Sequence, residues 1–158
     1  VILPLICAAA KGHTEAVGIL LEAGANVNAQ QHGGWAPIHY ALQARNEAML
    51  KLILRYSPDV NIPTKTGVQP LHLAANFGLA SMAGVLLDHG AAIDAGEQHG
   101  LTPLRVAVQA GHLETVEVLV SRGARTVGTE EEGHSLMDIA RMLGHSNIYL
   151  WLGRQQMS

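Results

Sequence analysis

The chain has 158 residues, 48% of them hydrophobic and 15% charged, with a formal net charge of -3. That balance excludes a disordered polar chain, and with no Lys/Arg-rich run it argues against binding nucleic acid through phosphates. No apolar run approaches the roughly 18 residues of a membrane span, and a single cysteine, Cys7, leaves no disulfide to form within the chain.

The chain opens on VILPLICAAA, apolar from Val1 to Ala10 with no basic residue before it, which does not read as a signal peptide. A short helix is expected from Pro4, because proline at the first turn fixes φ and wastes no hydrogen bond. Gly12 marks the turn after it, and a second helix carries the aliphatic pair Leu20-Leu21 before Gly24. The same order then recurs. Proline returns at Pro37, Pro70 and Pro103, each 33 residues on, and the register reaches Leu136 after the proline is lost. Four residues after each anchor stand Ala8, Ala41, Ala74, Ala107 and Ala140. Eight residues after it stand Gly12, Arg45, Gly78, Gly111 and Gly144. Ile53-Leu54, Leu86-Leu87 and Leu119-Val120 repeat the aliphatic pair, and Gly34, Gly67, Gly100 and Gly133 precede the anchors.

Each column has a physical reason. Thr102 and Ser135, just before the anchor, suit a helix N-cap. A small alanine lets two helices approach closely, and glycine after a helix takes the left-handed conformation at low cost. The spacing in LETVEVLV, Leu113 to Val120, puts one apolar stripe inward at helical period. Every unit thus reads as turn, short helix, tight turn, longer helix and loop. Helices this short are not stable alone, so stacking must supply the core. The approximate units are 1–30, 31–63, 64–96, 97–129 and 130–158, forming one domain.

The units are not equal. Arg45 and Ser57-Pro58 stand in the second where its neighbours have glycine and Gly-Ala, at a cost of up to roughly 1 kcal/mol for a left-handed cap without glycine. Gly18 and Gly84 lie inside second helices, each costing about 0.5–1 kcal/mol relative to alanine. Uneven local stability is expected, with opening favoured in the second unit. The fifth unit ends in IYLWLGRQQMS and serves as a cap that stays apolar at Trp151. The first lacks a polar outer face, which predicts a further repeat or domain before Val1.

QPLHLAANFG, LTPLRVAVQAGHLETVEVLVSRGA and KGHTEAVGILLEAGANVNA closely resemble the ankyrin-repeat signature, and the resemblance covers the whole chain. It implies an all-α fold, an ankyrin-repeat solenoid of stacked helix-turn-helix units with β-turn loops. It also implies a protein–protein interaction module inside the cell, cytoplasmic or nuclear and monomeric as an isolated domain. The alternative is a structural spacer within a longer array attached to a separate effector domain.

The repeat absorbs most of the nine histidines. His39 and His72 fall in the Pro-x-His column, where the resemblance implies an imidazole that bonds the backbone of neighbouring loops. His13, His112 and His145 follow the tight turn and are read as structural, while His32, His89, His99 and His134 lie outside these columns. No His-x-x-x-His or His-Glu-x-x-His spacing suits zinc, and no Gly-rich phosphate loop or nucleophile elbow is present. Cys7 is read as core. No catalytic residue, metal or cofactor is expected, nor a small-molecule substrate, a nucleic acid or insertion into a membrane.

In resembling proteins the concave face and the β-turn tips make the contacts. Two residues before each anchor stand Trp35, Val68 and Leu101, then His134. They are expected to stack as an exposed ladder, with Trp35 either anchoring a partner or covering the adjacent repeat. At the ends of the first helices lie Gln43, Asn76, Phe77 and Gln109, and Phe77 is expected as an exposed aromatic contact. Lys65, His99, Glu131 and Glu132 would form the polar rim, together with His32 and Gln98. The run Glu130-Glu131-Glu132 is either a solvated turn or an acidic edge that meets basic residues of a partner. LLEAGANVN resembles the context in which ankyrin asparagines are hydroxylated, which makes Asn28 and then Asn61 candidates beside the plainer reading of turn closure.

Overall fold

The computed structural model describes residues 3–127 and 133–158. Among the described residues the chain forms ten helices: α1 (Pro4–Ala10), α2 (Thr14–Glu22), α3 (Pro37–Gln43), α4 (Glu47–Leu54), α5 (Pro70–Phe77), α6 (Ala80–Asp88), α7 (Pro103–Ala110), α8 (Leu113–Ser121), α9 (Leu136–Met142) and α10 (Ser146–Gln156). They form five antiparallel pairs. Each first helix packs on the first helix of the next pair, and each second helix on the next second helix, so the stack has two layers. At every step the first helices touch more extensively than the second ones do. The stack therefore bends toward the first-helix layer, which is its concave side.

The columns read from the sequence account for this packing. Ala41, Ala74, Ala107 and Ala140 are fully buried, as close approach of adjacent first helices requires. Leu42, Leu50, Leu71, Leu86, Leu104, Leu119 and Ile148 continue one core between the layers. Proline opens α1, α3, α5 and α7 behind an extended residue. Thr102 and Ser135 cap as expected: Thr102 Oγ1 accepts from the Arg105 N–H at 3.3 Å, and Ser135 Oγ from the Asp138 N–H at 3.1 Å.

Hydrogen bonds between pairs repeat with the same period. At the tips the Lys65 N–H donates to the Gly33 carbonyl at 2.7 Å and the Gln98 N–H to the Thr66 carbonyl at 3.1 Å. A Cβ on Gly34 would lie 2.8 Å from the Lys65 nitrogen, so backbone passes backbone there and only glycine fits. In the loops after the second helices, Asn28 Oδ1 accepts from the Asp59 N–H and Asn61 Oδ1 from the Ala92 N–H, both at 2.8 Å. Asp94 Oδ1 continues the row with the Arg125 N–H at 2.9 Å. The asparagines offered for hydroxylation thus already hold one loop to the next.

Arg45 and Ser57 take positive φ, 53° and 50°, as their columns required. Gly18 and Gly84 lie in helix interiors with different surroundings. A Cβ on Gly18 would touch Leu52 at 3.4 Å, whereas the nearest atom to one on Gly84 is the flexible end of Arg122 at 4.0 Å. Gly84→Ala is therefore expected to stabilise the fold by about 0.5–1 kcal/mol, read as a higher denaturant midpoint at unchanged slope. In the last pair Trp151 is half-buried against the core, and the large apolar groups left exposed are Met142, Leu143, Leu150 and Met157.

Candidate interaction surface

The tips are closed by backbone bonds between residues four apart. The Gln31 N–H donates to the Trp35 carbonyl, the Thr64 N–H to Val68 and the Glu97 N–H to Leu101, at 3.0, 2.9 and 3.2 Å. Trp35, Val68 and Leu101 are thereby placed in equivalent positions on successive tips, and all three are half-buried. The Trp35 ring lies 5.3 Å from Tyr40 and 5.6 Å from His39, so the indole covers its own unit and keeps part of its surface open.

Beneath the tips the histidine column, His39 and His72, faces the next unit, and His72 bonds to it. His72 Nδ1 accepts from the Gln69 N–H at 3.1 Å, which fixes the proton on Nε2. Nε2 then donates to the Ala95 and Leu101 carbonyls, both at 2.9 Å. His39 repeats the Nδ1 contact with the Ala36 N–H at 2.9 Å and faces Ile62 and Val68, the equivalent backbone positions. Burial holds the His39 pKa down to about 4, against the Ile62 and Val68 carbonyls, which favour the charged ring. Burial lowers His72 in the same direction, opposed by the Leu101 and Ala95 carbonyls and the charge of Glu97. Arg105 takes this column's place in the fourth pair and is buried.

Val68 and Leu101 meet the first helices in an open hollow of ≈ 240 Å³, lined also by His72, Leu73, Asn76, Glu97 and Val106. Asn76 is exposed at its edge, and its carbonyl accepts from His112 Nε2 at 3.0 Å. The Gln109 carbonyl accepts from His145 Nε2 at 2.9 Å, while Gln43 is exposed. Lys65 is exposed and lines a second, more polar hollow with Gln30, Gln31, His32 and Thr64. His99 is exposed on its own tip. Glu131 and Glu132 lie outside the described residues.

Phe77 differs from expectation: it is half-buried against the core, not an exposed ring. The Arg45 guanidinium lies 5.6 Å from its ring centroid, and Nη1 donates to the Phe77 carbonyl at 3.1 Å. The cause is the missing glycine of the second pair, because a side chain at position 45 reaches across to the next unit. Sequence reasoning missed Tyr40, Leu73 and Val106, which are 33 apart and continue the apolar strip along the first helices. It also missed Glu97, which shares a column with Gln31 and Thr64 at the start of each tip.

Models of ankyrin repeats match the chain over residues 44–130 and 71–155 (three copies) and over residues 5–54 (many copies). The chain belongs to the ankyrin-repeat family. Ankyrin repeats are generally non-catalytic protein-interaction modules. The chain is similar to the 2-5A-dependent ribonuclease of Homo sapiens, 45% identical over 53 residues, which are 33% of this chain and 7% of that protein. It is similar too to the human transient receptor potential cation channel subfamily A member 1, 40% identical over 53 residues, 34% of this chain and 5% of that one. The chain thus matches only a small part of each relative. Among the described residues no helix is long and apolar enough to cross a membrane.

Proposed function

We propose that this ankyrin domain binds a partner protein through its concave face and β-turn tips, without catalysis of its own. The observation that carries the reading is the half-buried apolar strip of Trp35, Val68 and Leu101 on the tips, continued by Tyr40 and Val106 on the first helices. Apolar groups that remain partly open beside exposed Gln43, Asn76, Lys65 and His99 have the make-up of an interface, an apolar centre within a polar rim. Trp35 supports the reading further, because tryptophan anchors are worth about 2 kcal/mol or more when a partner buries them. Glu131 and Glu132 belong to the proposed rim on sequence grounds alone. The ribonuclease and channel activities named in the relatives are not carried over, since the shared segment is 53 residues of repeat.

A second reading, an internal spacer of a longer array, draws on Met142, Leu143 and Leu150, which remain exposed on the last pair. Affinity capture from lysate separates the two, comparing the intact chain with a Trp35→Ala, Leu101→Ser variant of matched circular dichroism. Loss of one captured protein by the variant supports the concave face. Equal capture by both forms places the contact elsewhere and favours the spacer.

A further inference from the structure

We propose that the hollow between the third and fourth pairs receives a lysine or arginine side chain from a bound peptide. This rests on the concave-face reading and narrows it to one class of side chain at one place. Most of the hollow's wall is apolar, formed by Val68, Leu73, Leu101 and Val106, and the acidic residue Glu97 also lines it. Glu97 Oε1 accepts from the His99 N–H at 2.8 Å and from the Leu101 N–H at 3.3 Å, so the carboxylate is already held in place. Little side-chain freedom remains to be lost when a cation arrives.

Among the described residues, the ion pairs engage Glu47, Asp88, Asp94 and Asp138, and none of them uses Glu97. Lys65, on the preceding tip, lines the other hollow. His72, on the same wall, is kept uncharged at neutral pH by burial and adds no repulsion. The choice of occupant follows from desolvation. An aliphatic side chain would take water from the carboxylate and return nothing. A small polar side chain would leave the apolar walls wet, and an acidic one would be repelled. Lysine and arginine have an apolar stem and a cationic head, which match the two parts of this wall in turn.

The test selects binders from a random heptapeptide display library on the intact chain and measures the resulting peptides by fluorescence polarisation. The expected result is a basic residue enriched at one position, whose replacement by norleucine weakens binding by about tenfold or more. That substitution is made in the peptide, so it is read on the unaltered protein. Glu97→Gln should give a similar loss while its amide oxygen still accepts the two turn N–H groups, with melting compared first. Peptides without a basic position, peptides that bind Glu97→Gln as well as the intact chain, or an empty selection overturn the proposal. If such peptides are still lost on Trp35→Ala, Leu101→Ser, the concave-face reading survives alone. If that variant binds them unchanged, both fail.

Discussion

Between pH 7 and pH 5 the fold is expected to lose about 2 kcal/mol through His39 alone. The ring is fully buried, and its Nδ1 accepts from the Ala36 N–H, a contact that only the neutral form can make. In the unfolded chain the imidazole takes up its proton near the ordinary value of 6.5, whereas in the fold it does so only at about 4. Stability from the neutral ring is therefore present above pH 6.5, is lost progressively as pH falls from 6.5 to 4, and falls no further below that. The whole difference is worth about 3 kcal/mol. His72 is shifted the same way by burial and adds to the loss. The lowered carboxyls act at lower pH: Glu47 is held down by Lys51 and Ser81, and Asp138 by Ser135. Urea denaturation at pH 7, 6 and 5 would read the effect as a falling midpoint. A His39→Asn variant should start less stable and show a flatter profile over that range. A wild-type midpoint unchanged from pH 7 to pH 5 would contradict this assignment.

The second large effect concerns the pairing of a cap in one unit with a residue in the next. Gly78 ends α5 at φ 70°, and a Cβ there would lie 2.6 Å from His112 Nδ1, the ring whose Nε2 bonds the Asn76 carbonyl. Gly78→Ala is expected to cost about 2–3 kcal/mol, combining left-handed strain with displacement of the imidazole. Gly111 stands in the same relation to His145. One step earlier the pair is Arg45 and Leu79, so no imidazole returns to this cap and a side chain is accommodated. Adding His112→Leu to Gly78→Ala should thus recover about 1 kcal/mol in a double-mutant cycle, while strict additivity would reject the pairing. Arg45→Gly is expected to be close to neutral. It relieves strain of about 1 kcal/mol but loses a hydrogen bond and a cation–π contact of about the same worth.

These cases mark what could be read in the sequence. The proline, alanine and glycine columns express constraints inside one helix pair, and they gave the helices and the layered stack directly. The cost at Arg45 was legible because left-handed φ is a local demand. Its compensation was not, because Phe77 lies 32 residues on and the pairing appears only when one column is read against its neighbour in the next unit. The same displacement made Phe77 look exposed. On the candidate surface, the tip column of Trp35, Val68 and Leu101 follows from counting. The hollow does not, because it joins a tip column to residues in the middle of the first helices, and Tyr40, Leu73 and Val106 pass there for ordinary helix faces. Glu97 was hidden by its company, since Gln31 and Thr64 in its column suggest only a polar turn residue.

Binding through the concave face is tested most directly by site-specific photocrosslinking in lysate. Benzoylphenylalanine would replace exposed residues on each side of the stack, one per variant: Gln43, Asn76 or His99 on the first helices and tips, and Ile19, Ser81 or Glu114 on the second helices. One common protein adduct is expected from the first three positions and none of it from the other three. Adducts confined to Ile19, Ser81 and Glu114, or spread equally over all six, would contradict binding through the concave face.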